Sequence, residues 1–239
     1  MKIYKPAGFT RRGARETNED SLYPDPGKVT ENHNLFIVCD GVGGNPCGKM
    51  ASELACREFA SGSGNHRFMA DEALNSVYQA FSAYVKNYPG CSDMATTMVY
   101  LRLFETQAEI GWIGDSRVYH IRDGRIHYQT RDHSMVNRLI EQGMLTEEEA
   151  RHDFRRNIIT RVIMEGDEPV EFDKHHLNDI MPDDFIFLCS DGVLEHIDEE
   201  YIRHHFRADN TAESLAADIL STCEDATLDN YSAYLIKMR

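Results

Sequence analysis

A chain of 239 residues with 41% hydrophobic, 27% charged and 10% aromatic residues has globular composition, which excludes wholesale disorder and leaves room for one large domain or two small ones. Its 40 acidic residues against 25 Lys and Arg give a formal charge of −15. A field of that sign repels phosphate backbones and anionic lipid, so a general nucleic-acid or membrane-surface binder is excluded.

The longest clean apolar runs, Leu35–Cys39 and Phe185–Cys189, fall far short of the ~18 residues that a membrane span needs. Met1 to Arg12 carries positive charge but no apolar segment, so no export leader is expected. The six cysteines are therefore expected as reduced thiols in a cytoplasm. None forms a C-x-x-C pair and none is followed six positions later by Arg, which excludes a zinc clip, a thioredoxin-type pair and a cysteine-phosphatase loop. Cys39 and Cys189 end the apolar runs and read as buried small hydrophobes.

In chain order, Leu35–Cys39 reads as a buried strand. Met50, Ala51, Leu54, Ala55 and Phe59 then share one helical face. The stretch Ser61–Asn65 reads as a loop, and Leu74, Val77, Tyr78, Phe81 and Val85 mark a second helix stopped by Pro89-Gly90. Thr96–Phe104 and Ala108–Ile113 alternate as strands. Val118–Ile121 and Arg125–Gln129 flank the hairpin turn Arg122-Asp123-Gly124. Val136, Leu139 and Ile140 form a short helix ending at Gly143, and Thr146-Glu-Glu-Glu149 is a capping box opening the next. Val170–Leu177, Phe185–Cys189 and Ser232–Lys237 complete the strands, with Thr211 capping a helix through Leu215, Ile219 and Leu220. Successive strands from 96 to 129 without helices between them imply antiparallel pairing. The pattern predicts an α+β layered domain whose helices cover sheet faces.

Leu35-Phe-Ile-Val-Cys-Asp-Gly-Val42 is echoed by Phe185-Ile-Phe-Leu-Cys-Ser-Asp-Gly-Val193. Each places an Asp-Gly at the exit of a buried strand, where a carboxylate is held rigidly and the glycine permits close backbone approach. Asp-Gly alone is a common turn dipeptide, and Asp123-Gly124 reads as no more than that. With Asp20, Asp115 and Asp229, five acidic positions fall at strand or loop ends, and Glu19 precedes the first. Carboxylates brought together cannot remain bare, and hard cations such as Mg²⁺ or Mn²⁺ are the natural remedy.

The motifs Arg15-Glu-Thr-Asn-Glu-Asp20, Cys39-Asp-Gly-Val-Gly-Gly44, Met94-Ala-Thr-Thr97, Gly114-Asp-Ser-Arg117, Thr130-Arg-Asp-His-Ser134, Cys189-Ser-Asp-Gly-Val193 and Asp229-Asn230, in this order over nearly the whole chain, resemble the metal-dependent type-2C Ser/Thr protein phosphatases. The resemblance implies one catalytic domain over residues 1–239, built as a four-layer α/β/β/α sandwich of two antiparallel sheets with a binuclear metal centre at one end. It implies that Asp40 bridges two metals, the Gly41 carbonyl ligates one, and Asp191 and Asp229 complete the pair. Asp20 and Glu19 would hold metal-bound waters or ligate directly, Asp115 would serve a third metal, and Arg15 would clamp the substrate phosphate. The cofactors implied are two to three Mn²⁺ or Mg²⁺ ions, and the reaction is attack of a metal-bridging water on phosphoserine or phosphothreonine. The partners implied are phosphoproteins and a Ser/Thr kinase that the enzyme opposes, with no nucleic acid, no membrane and a monomeric chain. Bacterial stand-alone members, including those accompanying type VI secretion systems, are the nearest analogy.

Three positions depart from the family pattern. Val42 stands where animal members carry a histidine assigned to protonating the leaving group, although bacterial relatives commonly have an apolar residue there. Ala95 replaces the usual glycine before Thr-Thr. Arg161-Val-Ile-Met164 lacks a customary glycine, and the neighbouring residues 144–168 are expected to form the variable flap that governs substrate choice.

His133 reads as structural, with Asp132 or Ser134 capping the following helix. The pairs His175-His176 and His204-His205 are neighbours that do not share a face, which argues against chelation. Two rival functions remain on the residues alone. Gly43-Gly-Asn-Pro-Cys-Gly-Lys49 matches a phosphate loop and would indicate a nucleotide hydrolase. Against it, Met50 stands where a hydroxyl should bind Mg²⁺, and Pro46 removes an N–H. A catalytically inactive phosphoprotein-binding relative is the other rival, opposed by the presence of all five carboxylates.

Overall fold

A computed structural model describes residues 1–42, 47–62, 69–166 and 168–239. The strands are β1 (Ala7–Arg11), β2 (Asp20–Tyr23), β3 (Leu35–Asp40), β4 (Ala95–Thr96), β5 (Met98–Leu103), β6 (Ala108–Ile113), β7 (Arg117–Arg122), β8 (Arg125–Gln129), β9 (Ile163–Met164), β10 (Asp173–Leu177), β11 (Phe185–Cys189) and β12 (Tyr231–Lys237). The helices are α1 (Gly48–Ser61), α2 (Ala70–Asn87), α3 (Met135–Glu141), α4 (Glu147–His152), α5 (Glu199–His205) and α6 (Ala212–Cys223).

Two five-stranded antiparallel sheets, ordered β1-β12-β11-β7-β8 and β10-β6-β5-β3-β2, form the centre. The apolar runs explain why. In β3, Leu35, Ile37 and Cys39 pack on α1 and α2, while Phe36 and Val38 point into the space between the sheets. In β11, Phe185, Phe187 and Cys189 pack on α5 and α6, while Ile186 and Leu188 meet the other sheet. A strand buried on both faces shows no polar alternation, so its period-2 geometry is masked in the sequence. The four-layer α/β/β/α expectation therefore holds.

Most predicted elements are present, with instructive changes. Thr96–Phe104 divides into β4 and β5 at Thr97, whose N–H donates to the Asp40 carbonyl. β4 pairs instead with β9. The strand expected from Val170 begins at Asp173, because the Val170 N–H goes to the Tyr78 hydroxyl. Asp123 and Gly124 both have positive φ (46° and 75°), as a two-residue hairpin turn requires. Thr146 and Thr211 cap α4 and α6 as expected. Strands β1 and β2 and helix α5 have no counterpart in the sequence reading. Of the loop expected at 61–65, residues 63–65 lie outside the described residues.

One expectation fails. Cys47 and Cys91 form a disulfide with Cα atoms 5.7 Å apart, while Cys39, Cys56, Cys189 and Cys223 are buried single thiols. The packing of α1 on α2 brings together two cysteines 44 positions apart, which no local spacing could signal. No described helix is long and apolar enough to cross a membrane.

Candidate metal centre

The strand ends at one edge of the sandwich gather the acidic positions. β2 begins with Asp20 directly across from Asp40, the last residue of β3. Asp115 follows β6 after Gly114, Asp191 follows β11 after Ser190, and Asp229 precedes β12. The two sheets thus contribute carboxylates from opposite sides to one place.

Gly41 must be glycine. A Cβ there would overlap the Gly48 carbonyl at the start of α1, and the Glu19 carbonyl lies 2.9 Å from the same point. The loop is pinned from the other side: the Val42 N–H donates to Ala95 O at 3.0 Å and Thr96 Oγ1 donates to Asp40 O at 2.8 Å. Gly192 is equally confined, since a Cβ would run into the Asn230 carbonyl.

The electrostatics are those of crowded like charges. Burial, followed by Asp20, Asp191 and Asp115, pushes the Asp40 carboxyl well above the usual range. Burial raises Asp20 to about 7; hydrogen bonds from Ser232 and Ser190 oppose the rise, and Asp191 and Asp229 add to it. Asp115 is also raised to about 7, first by burial and then by Asp191 and Asp132. Burial and then Asp229 raise Asp191, and burial raises Glu19 against the pull of Arg15. Each group disfavours ionisation of the next.

Arg15 Nη2 donates to Asp229 Oδ2 at 2.5 Å, the one ion pair to these carboxylates among the described residues. Ser190 Oγ donates to Asp20 Oδ2 at 2.8 Å. Asp20 Oδ1, Asp115 Oδ1 and Asp191 Oδ1 are buried without any hydrogen-bond partner. Among the described residues, no three His, Cys, Asp or Glu side chains already surround a single point as a finished cage; Asp229 turns to Arg15 and Asp40 contacts Asp191. The donor set nevertheless fits hard divalent cations: carboxylate oxygens only, several of them buried and unsatisfied.

Several supporting roles have no counterpart in the sequence reading, even where the residue itself stands in one of its motifs. Asn230 receives the Glu19 N–H at 2.8 Å and donates to Arg12 O and Thr17 O, which shapes the loop carrying Arg15. Glu195 accepts the Leu228 and Asp229 N–H groups. Ser52 in α1 donates to the Glu19 carbonyl. Arg117 grips Asp132 bidentately at 2.7 and 2.6 Å. Asp132 is thus engaged, and Ser134 caps α3. His133 bonds the Gly114 N–H at 3.0 Å and Arg161, and burial and Arg161 lower its pKa. It is a structural pin, as expected. His175 stacks on Tyr128, whereas His176 faces Glu109, so that pair shares no ligand position.

Beside the carboxylates lies a cleft of about 1030 Å³, whose lining includes Asp115, Asp191 and Asp229 together with Arg131, Arg151 and Arg156. The phosphate-loop reading finds no support here. β3 is antiparallel to both its neighbours, whereas that loop belongs to a parallel sheet. Its residues Gly43 to Pro46, and with them Gly43 and Gly44 of the metal-loop motif, lie outside the described residues.

The sequence pattern of the family described as Protein phosphatase 2C matches residues 7–231. PhpP of Streptococcus pneumoniae is 30% identical, covering 96% of each chain. The serine/threonine protein phosphatase PstP of Mycobacterium tuberculosis is 29% identical over 219 residues, 89% of this chain, and this chain spans 40% of its length. A crystal structure of that PstP superposes with a TM-score of 0.86 at 28% identity over 100% of both chains. A crystal structure of a PstP catalytic domain in complex with two manganese ions gives 0.71 at 25%, covering 99% of each chain. PppA, a regulatory component of the type VI secretion system of Pseudomonas aeruginosa, gives 0.78 at 24% over 99% of both chains, a likeness of fold alone. The chain belongs to the protein phosphatase 2C family, the metal-dependent Ser/Thr protein phosphatases, in its bacterial form.

Proposed function

We propose that this chain hydrolyses phosphoserine and phosphothreonine in protein substrates and opposes a Ser/Thr kinase, acting as a monomeric catalytic domain over residues 1–239 with a flap at 144–168. Two to three Mn²⁺ or Mg²⁺ ions would be held by Asp40, the Gly41 carbonyl, Asp191 and Asp229, with Asp115, Asp20 and Glu19 serving the outer positions. The observation that carries the reading is the trio of buried, unpartnered carboxylate oxygens on Asp20, Asp115 and Asp191. When bound, such cations supply Lewis acidity and an acidified water.

The chain's own residues do the remaining work. Arg15, which pairs with Asp229 in this structure, would offer its planar fork to two phosphate oxygens and balance charge in the transition state. Ser190 holds Asp20 in one orientation, and Asn230 fixes the 12–19 loop so that Arg15 arrives at a set position. Val42 offers no proton, and His133 is committed elsewhere.

A phosphoserine peptide assayed with Mn²⁺, with Mg²⁺ and in excess chelator tests the proposal. Turnover is expected only with metal. Equal rates in chelator would sink the proposal, and nucleotide hydrolysis without peptide dephosphorylation would restore the rival reading.

The cleft also implies a substrate preference. Arg117 pairs with Asp132 and Arg131 with Glu141, whereas no ion pair among the described residues involves Arg151 or Arg156, both exposed on the flap side. Acidic residues flanking the phosphoserine should engage them. Reversing both charges (Arg151→Glu with Arg156→Glu) should raise KM for an acid-flanked phosphopeptide about tenfold, from two surface charge contacts of up to ~1 kcal/mol each. The kcat, and the kinetics with p-nitrophenyl phosphate, should stay unchanged. An equal loss with both substrates would place these arginines in the catalytic centre or the fold instead.

A further inference from the structure

We infer that Cys47 and Cys91 form a redox modification site, exchanging with dithiol reductants, whose state sets how firmly the Asp40–Gly41 metal loop is held. This coupling rests on the metal reading above; the bond itself does not. The pair is the one disulfide among the described residues, and the four other cysteines are buried single thiols.

The position of the bond gives it reach. Cys47 is the residue before α1 and has a left-handed backbone (φ 95°) that L side chains rarely adopt. Such a conformation persists only where the surroundings over-determine it, and a covalent tether to Cys91 is one such restraint. The next residue, Gly48, presses its carbonyl on Gly41 and faces the Glu19 carboxylate. Cys91 lies on the other flank. Its carbonyl accepts the Met94 N–H at 3.0 Å, and β4 follows at once. β4 supplies the Ala95 and Thr96 contacts to Val42 and Asp40 and pairs with β9 at the base of the flap. The metal loop is therefore gripped between two segments that this single bond ties together.

The chemistry balances without an external oxidant in the reducing direction. A dithiol's thiolate attacks Cys47 Sγ, on a half-exposed residue, forming a mixed disulfide and expelling the Cys91 thiolate. The reductant's second thiolate then displaces Cys47. Two electrons and two protons pass to the cysteines, and the dithiol leaves as its disulfide. Oxidation reverses the exchange with a disulfide reagent.

The test compares three proteins, the wild type, Cys47→Ser and Cys91→Ser, each treated with oxidised glutathione or with a phosphine and then desalted, since residual thiols would bind Mn²⁺. Mass analysis reads the cross-linked peptides, and melting temperature against Mn²⁺ concentration reads metal affinity without using activity. The oxidised wild type should show the 47–91 cross-link. Its half-saturating Mn²⁺ concentration should be about tenfold lower than that of the reduced protein, the scale of changes that reorient metal-holding residues. Both Ser variants should keep the reduced value under either treatment. All six thiols remaining alkylatable after oxidation would overturn the site. A cross-link with the same Mn²⁺ midpoint in both states would overturn the coupling while leaving the metal reading intact. Mn²⁺ raising the melting temperature of no protein would overturn the metal reading and the coupling together.

Discussion

Asp40→Asn should abolish dephosphorylation and most of the stabilisation that metal gives. Asp40 ends β3 opposite Asp20 and is crowded by Asp191 and Asp115. An Asn there offers one neutral oxygen in place of two charged ones, so every cation that leans on this position weakens. A fall in kcat of about 10²–10³ or more is expected, the scale for removing one electrostatic partner of a transition state. Metal that binds only the folded state stabilises by mass action, about 2.7 kcal/mol at a hundredfold excess over Kd. For a chain of this size that is roughly 5–10 °C in Tm. The wild type should gain that shift in millimolar Mn²⁺, and the variant should gain far less. In chelator the order should reverse or level, because the substitution removes one of several mutually repelling charges. Melts of both proteins in Mn²⁺ and in chelator decide the matter. An unchanged metal-induced shift in the variant would remove Asp40 from the centre of the site.

What the chain discloses in advance follows from where its information is local. β3 and β11 are legible because both faces are buried, and five consecutive apolar residues have few other uses. The carboxylates at their exits are legible because the same strand-Asp-Gly pattern occurs twice. β1 and β2 are not: each is short, only partly buried and at a sheet edge, so pairing rather than composition makes it a strand. α5 carries a local signal in its cap and charges, since Asp198 caps it, Glu199 and Glu200 open it and Arg203 to His205 close it. The break at Thr97 is invisible in sequence because it exists to hand a backbone N–H to Asp40. The same limit hides the partners that orient the site. Ser190 meets Asp20 across 170 positions, and Asn230 meets Glu19 across 211. The disulfide joins residues 44 apart. Hydroxyls, amides and thiols of this kind acquire a role only when the fold brings their partners to them.

Far from the cleft, Asp184→Asn should strongly destabilise the fold. Asp184 is fully buried and accepts four hydrogen bonds: from His120 Nε2 at 2.7 Å, from Arg122 Nε and Nη2 at 2.7 and 2.8 Å, and from the Met181 N–H at 2.8 Å. Its own backbone carbonyl receives the Met238 N–H. The side chain thereby locks β7 to the turn that launches β11, at the end of the sandwich opposite Asp191. Asn keeps a single neutral oxygen and turns an N–H₂ toward the donors that faced the other, so half-buried Arg122 loses its charged partner and the cluster loses one of its two acceptors. Breaking one partner of a buried pair costs about 3–5 kcal/mol, which is on the order of 10 °C in Tm here. The pH dependence has a definite sign. Burial opposes ionisation of Asp184, but the Arg122, Met181 and His120 contacts outweigh it and hold its pKa below the usual carboxylate value. A depressed carboxylate stabilises the fold above its unfolded pKa of ~3.9 and loses that contribution as pH falls through the folded value. The gap between wild type and variant should therefore be full at pH 6–7 and shrink below about pH 4. Urea melts of both proteins from pH 7 to pH 3 measure it, and a gap that stays constant through the acid limb would show that the Asp184 charge is not what the cluster uses.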